Sequence, residues 1–184
     1  EGVVTQLSRQ PTQQIPRNPA RGPRPLSPAQ RRLWILDQLD REDLSSNRPL
    51  AFRLAGLLDI HALETSLAEI TRRHEILRSV FPGTDGEAVQ MVSPVEPWHL
   101  SSIDLESVPL PERETEARRI ALCEAQKKFD LANGPLVRGV LLRLQETDHV
   151  LLLLMHHIVF DGWSESILLQ ELRDLYEAIS NNEP

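Results

Sequence analysis

The sequence has a single cysteine and no long hydrophobic run, and each shortage excludes a class of protein. With Cys123 alone, no disulfide can form within the chain, which fits a reducing compartment. The longest aliphatic run, Val150 to Met155, is far too short to cross a membrane. The net charge of −7 argues against a nucleic-acid surface. We therefore expect a cytoplasmic protein with no nucleic-acid partner and no membrane partner.

Residues 1–25 differ in composition from the rest of the chain. Five prolines interrupt any regular element there: Pro11, Pro16, Pro19, Pro23 and Pro25. We interpret residues 1–25 as a Pro/Arg-rich linker and residues 26–184 as one folded unit, which is long enough for a proper core. The sequence starts with Glu1 rather than Met, so we expect a piece of a longer polypeptide.

Hydrophobic periodicity predicts four helices with strands between them. Helices are expected over residues 28–38, 60–73, 111–127 and 164–179, with Ser27 capping the first and Ser164 opening the last. Strands are expected over residues 50–54 and 88–92, and the strands over 136–144 and 149–155 should form a hairpin. The predicted fold is an α/β sandwich with a mixed β-sheet core and helices on one side.

The most informative stretch runs from Met155 to Ser164 and reads M-H-H-I-V-F-D-G-W-S. Neighbouring side chains of a strand point to opposite faces, so one histidine should enter a site while the other packs. Gly162 lets the backbone bend or approach a substrate closely. Two histidines and an aspartate could also hold a metal, but no third histidine and no cysteine is near. We therefore expect no metal site.

Four strings together resemble one family. They are S-P-A-Q-R-R-L-W-I-L (Ser27–Leu36), R-H-E-I-L-R-S-V-F (Arg73–Phe81), F-D-L-A-N-G-P-L-V-R (Phe129–Arg138) and the HHxxxDG motif just described. In this order and spacing they resemble the condensation domains of nonribosomal peptide synthetases, which have the chloramphenicol-acetyltransferase-like fold. Lys128 stands where the family usually has Pro, outside the catalytic motif. The resemblance covers residues 26–184 and implies the N-terminal of two lobes, without the C-terminal lobe.

The resemblance implies roles for the histidines and the glycine of the motif. His157 would be the functional histidine, either a base or a positioner of the amine, and both roles stay open. His156 would support the site from the other face. Gly162 would leave room for the substrate, and its N–H could meet a developing oxyanion.

The resemblance also implies a structural role for the motif aspartate. Asp161 should form an ion pair with an arginine, Arg78 first and Arg73 as the alternative, rather than orient His157. A buried carboxylate needs such a partner, and removing one member of a buried pair typically costs about 3–5 kcal/mol.

The implied reaction is amide formation. The amine of a carrier-bound aminoacyl group would attack an upstream carrier-bound acyl thioester. No cofactor is expected to bind the chain itself, because upstream and downstream peptidyl carrier domains deliver the 4′-phosphopantetheine arms. The C-terminal lobe of the same domain would be the third partner. The isolated lobe should be inactive and should self-associate through its exposed face.

Three alternatives stay open. The first is an epimerisation domain, although its first signature differs from Ser27–Leu36. The second is a CoA-dependent acyltransferase of the same fold, which the likeness of residues 1–25 to a linker between a carrier domain and a condensation domain disfavours. The third is a lobe that only docks, which the intact His157, Asp161 and Gly162 disfavour.

Overall fold

The computed structural model describes residues 22–40, 44–84 and 87–181, so most of the predicted linker lies outside the described residues. Within these residues there are four α-helices, α1 (Pro28–Leu39), α2 (Ile60–Arg73), α3 (Leu110–Ala125) and α4 (Gly162–Ser180), and one short 3-10 helix (Glu75–Arg78). Each end of the α-helices lies within two residues of its predicted position. None of the described helices is long and apolar enough to span a membrane.

The described strands form two sheets. The larger sheet has the order β2 (Asn47–Ala55), β8 (Asp148–His156), β7 (Val137–Gln145) and β6 (Ser101–Asp104). Its first two pairings are antiparallel and its last is parallel, so the sheet is mixed as predicted. The smaller sheet is built on β5 (Glu87–Val92), which pairs with the short strands β1 (Arg24–Pro25), β3 (Ser79–Val80) and β4 (Gly83–Thr84).

The start of the folded unit and the extent of strand β2 differ from the sequence prediction. Arg24 and Pro25 pair with Gln90 and Val89, so the folded unit begins no later than Arg24, inside the predicted linker. Strand β2 is longer than expected and contains Pro49. A proline cannot donate to a ladder, but β2 is an edge strand, where the missing donor is tolerated.

Helices lie on both faces of the large sheet, so the expectation of helices on one side was wrong. Arg53 is paired with Val150, and its guanidinium binds Glu114 of α3, which places α3 on that face. Gly139 is paired with Leu153 on the other face, where Trp98 covers it. The Trp98 indole donates to Thr71 Oγ1 of α2 at 2.8 Å, so α2 lies on the second face.

Strand β8 is the centre of the core because it is covered from both sides. Its residues Leu151–Met155 are at most 3% exposed, and their side chains alternate between the two helical layers. A continuous apolar run is typical of a strand that is buried on both faces. Helix α4 joins the layer of α2, since Tyr176 Oη accepts a hydrogen bond from the Asp59 N–H and Glu171 binds His74.

The first helix begins as the sequence predicted. The Ser27 hydroxyl accepts from the Gln30 N–H, and the Gln30 side chain accepts from the Ser27 N–H, which together form a capping box. Helix α1 is tied to the smaller sheet region by Trp34, whose indole N–H donates to the Phe81 carbonyl at 3.0 Å.

Candidate functional site

The HHxxxDG motif forms the end of β8 and the turn that leads into α4. The His156 N–H donates to the Leu136 carbonyl at 3.0 Å, and the His157 N–H donates to the Ser46 carbonyl at 2.8 Å. These two bonds tie the strand end to the chain segments on either side of it. The next three residues, Ile158, Val159 and Phe160, are at most 5% exposed. Main-chain hydrogen bonds therefore hold the start of the turn, and the apolar side chains of the next three residues are buried in the core.

His156 is buried, at 3% exposure, on the α3 side of the sheet. Its ring Nδ1 accepts from the Ile158 N–H at 3.1 Å, and its ring meets the Phe129 ring nearly at right angles, at 6.1 Å between centroids. Burial lowers the pKa of His156 to about 4; nearby Asp37 acts in the opposite direction. His156 is therefore neutral near pH 7. Because Nδ1 is an acceptor, its proton is on Nε2.

His157 is half-buried at the tip of the turn. Its Nδ1 lies 2.7 Å from the Phe160 carbonyl oxygen, and a carbonyl can only accept, so Nδ1 carries the proton. In the neutral ring this leaves a lone pair on Nε2. The less buried of the two histidines is thus the one the sequence analysis assigned to the reaction.

Asp161 does not form the predicted ion pair with an arginine of the described residues. Its Oδ1 accepts from the Ser164 N–H at 2.9 Å and from the Ser164 hydroxyl at 2.7 Å, which makes it the N-cap of α4. These bonds from Ser164 lower the pKa of the carboxyl. Asp161 is exposed to solvent. Its carboxylate therefore needs no cationic partner to offset a cost of burial.

The two candidate arginines have other partners. Arg78 donates to the Ser93 carbonyl and lies 3.6 Å from Glu75, while Arg73 binds Glu69 at 2.6 Å. Helix α4 also begins at Gly162 rather than at the predicted Ser164, because Asp161 takes the cap position.

Gly162 stands in open space, since a Cβ built on it would meet nothing within 4 Å. A separate cleft of about 550 Å³ lies beside β7 and is lined by residues that include Arg78, Trp98 and Arg138. No residue of the HHxxxDG motif lines that cleft. Two other motif residues, Val159 and Phe160, instead line a smaller cleft of about 110 Å³ together with residues of α2 and α4. Among the described residues no group of three His, Cys, Asp or Glu side chains is arranged to hold a metal ion.

Three residues around His156 were not assigned a site role from the sequence. Phe129 contacts the His156 ring, Arg138 stacks on Phe129, and Asn47 is the strand partner of His156. Phe129 and Arg138 are the two ends of the string F-D-L-A-N-G-P-L-V-R, one of the four that resemble the family. This segment connects α3 to β7, and both of its ends lie near the motif.

Comparison with known proteins identifies the family. The Condensation domain family model matches residues 20–184. The chain belongs to the condensation-domain family of nonribosomal peptide synthetases, and it corresponds to the N-terminal lobe of such a domain.

Relatives with similar sequences are peptide synthetases. The chain is 50% identical over 159 residues to a linear gramicidin synthase from Brevibacillus parabrevis, covering 86% of the chain and 3% of that protein. It is 41% identical over 169 residues to phosphinothricin tripeptide synthetase PhsC from Streptomyces viridochromogenes, covering 91% of the chain and 16% of that protein. The chain therefore spans a small part of these relatives.

Solved structures support the chloramphenicol-acetyltransferase-like fold. The starter condensation domain of rhizomide synthetase RzmA matches with a TM-score of 0.81 at 22% identity, over 88% of this chain and 39% of that one. The X-domain from teicoplanin biosynthesis matches with a TM-score of 0.79 at 28% identity, over 92% and 35%.

The cap role of Asp161 predicts a modest loss of stability on substitution. Asp161→Ala should lower the free energy of unfolding by about 1 kcal/mol, the usual cost of removing an N-cap, while Asp161→Asn should retain most of it. Chemical denaturation measures both. Asp174→Ala, an exposed aspartate of the same helix, is the control and should change little. A loss of about 3–5 kcal/mol would instead favour the buried ion pair.

The low pKa of His156 predicts a pH-dependent contribution to stability. In the unfolded chain the imidazole takes a proton near pH ~6.5, whereas the folded state resists it down to about pH 4. The free energy of unfolding is therefore not affected by His156 above pH ~6.5. It falls by roughly 3 kcal/mol in all as the pH drops from ~6.5 to about 4.

This prediction is tested by difference, because His149, whose pKa burial also lowers, acts in the same direction. Unfolding free energies of wild type, His156→Gln and His61→Gln are compared between pH 7.5 and pH 4. The exposed His61 is the control. The pH dependence should weaken in His156→Gln alone; equal slopes for all three proteins would contradict the assignment.

Proposed function

We propose that this chain provides the catalytic-motif lobe of a domain that joins two carrier-bound substrates through an amide bond. The observation that supports it is the geometry of His157. Its Nδ1–H is held by the Phe160 carbonyl, so the lone pair on Nε2 is available at the half-exposed tip of a firmly anchored turn. The two relatives named above, both peptide synthetases, support the same reaction class.

In the proposed reaction the amine nitrogen of the downstream aminoacyl group attacks the carbonyl carbon of the upstream thioester. The new C–N bond forms, the C–S bond breaks, and the thiolate leaves on the upstream pantetheine arm. The nitrogen must lose one proton in the process. The Nε2 lone pair of His157 would take that proton, or would accept a hydrogen bond that aims the amine.

The other motif residues would act on the surroundings of this step. His156, neutral and buried, would fix the turn from below through its bond to the Ile158 N–H. Asp161 would start α4 at the right place, and the open space around Gly162 would admit the substrate. Upstream and downstream peptidyl carrier domains would deliver the arms, and the C-terminal lobe would form the opposite wall.

His157 is the residue whose loss should stop the reaction. In the full condensation domain, supplied with both loaded carrier domains, His157→Ala should lower the rate of amide formation by about 10²–10⁴-fold, as measured by mass spectrometry of the product. His61→Ala, an exposed histidine on α2, should leave the rate unchanged. An active His157→Ala domain would refute the proposal.

A second variant separates the two roles of His157. Glutamine can accept a hydrogen bond through Oε1 but cannot take a proton near neutral pH. If His157 aims the amine, His157→Gln should keep part of the activity. If it is the base, His157→Gln should be as inactive as His157→Ala.

Residues 1–184 alone should be inactive in the same assay. Rate enhancement by positioning needs reacting atoms held within about 3–3.5 Å, which one wall of a channel cannot enforce. The side chain of Trp163, next to the motif, is 83% exposed, and Ile167 one turn later is 48% exposed, so this lobe has apolar surface to cover. Turnover by residues 1–184, abolished by His157→Ala, would show that the second lobe is dispensable.

A further inference from the structure

Arg138 of β7 is a half-buried cation with an unusual set of partners. Its guanidinium lies 3.9 Å from the centroid of the Phe129 ring. Its two terminal nitrogens donate to the main chain just beyond α3, Nη1 to the Lys128 carbonyl at 3.0 Å and Nη2 to the Lys127 carbonyl at 2.7 Å. One side chain therefore holds both the segment that follows α3 and the aromatic ring that comes next.

The same ring is the neighbour of His156. Phe129 is 3% exposed, and it has the Arg138 guanidinium on its ring and His156 in an edge contact. Edge contacts between aromatic rings are directional, so the position of Phe129 constrains the orientation of His156. Nδ1 of His156 accepts a hydrogen bond from the Ile158 N–H, and this bond holds the turn that contains His157.

Asn47 supplies a second connection between the same parts. Its side-chain amide donates to the Ala125 carbonyl at 2.7 Å and to the Lys127 carbonyl at 3.2 Å. Asn47 is also the strand partner of His156, and the preceding Ser46 carbonyl accepts from the His157 N–H. The end of α3 is thus fastened to both sides of the motif.

Stability alone does not account for a guanidinium at this position. Burial lowers the pKa of Arg138, and its Nε is buried with no hydrogen-bond partner in the described part of the chain. A half-buried cation whose buried Nε has no hydrogen-bond partner is costly, and an apolar side chain of similar length is often as stable. An apolar side chain could not donate to the two carbonyls, as the terminal nitrogens of the guanidinium do, and it has no charge to attract the Phe129 ring.

We propose that Arg138 is a positioning residue for His157, acting through Phe129 and His156 to fix the turn that presents Nε2 to the substrate amine. This inference rests on the proposed function. It gives the string Phe129–Arg138 a role in the reaction, although Arg138 itself touches no reacting atom.

The test compares Arg138 of β7, which binds the segment just after α3, with an arginine near the start of α3, in the full condensation domain. Arg113 is the matched control: it is also half-buried and donates to three carbonyls, those of Glu106, Val108 and Leu144, at 2.6–2.8 Å. Arg138→Met should lower kcat by up to about 10²-fold with little change in KM or melting temperature, since small misplacements have effects of this size. Arg113→Met should change the melting temperature but not kcat.

Two further variants make the result specific. Arg138→Lys keeps the charge but not the fork, so it should recover part of kcat, and it serves as the test if Arg138→Met does not fold. In the His156→Gln background, Arg138→Met should cause little additional loss, because both changes act through one chain of contacts.

A spectroscopic measurement tests the inference independently of turnover. In domain labelled with ¹⁵N-histidine, wild type and Arg113→Met should show His156 as the Nε2–H tautomer and His157 as the Nδ1–H tautomer. Arg138→Met should show mixed tautomers at both. Wild-type kcat and tautomers in Arg138→Met, or a loss of melting temperature alone, would overturn the inference. An active His157→Ala would instead refute the proposed function and leave the tautomer result to be judged by itself.

Discussion

The site depends on the register of β8 in the large sheet. This strand is paired on both sides and buried on both faces, so its polar main chain and its apolar side chains are satisfied in one alignment only. A slip of one residue would move every side chain to the opposite face, and it would exchange the environments of His156 and His157. The apolar run before the motif is therefore what places one histidine against Phe129 and the other at the surface.

Local patterns predicted the elements but not their arrangement. Four helices and the β7–β8 hairpin follow from periodicity and turn residues, which act over short stretches of chain. The side of the sheet that each helix covers depends on connections between distant elements, and the prediction of a single helical layer was wrong. The uninterrupted run of residues 150–155 contained the missing information, since a strand exposed on one face would alternate.

The error at Asp161 shows how a local bond can prevail over a distant charge. The resemblance favoured an arginine partner, but the residue stands immediately before a helix, where the free N–H groups need acceptors. Ser164, three residues later, offers both its N–H and its hydroxyl at 2.7–2.9 Å. An exposed carboxylate gains little from an ion pair, so the cap is the stronger interaction here. The letters D-G-W-S could have been interpreted as a helix start.

The adjacent histidines have opposite tautomers because the main chain offers one a donor and the other an acceptor. Ile158 presents an N–H to Nδ1 of His156, and Phe160 presents a carbonyl to Nδ1 of His157. Burial also keeps His156 neutral, with a pKa of about 4. The buried, uncharged His156 therefore supports the turn without adding a positive charge beside the Nε2 lone pair of His157.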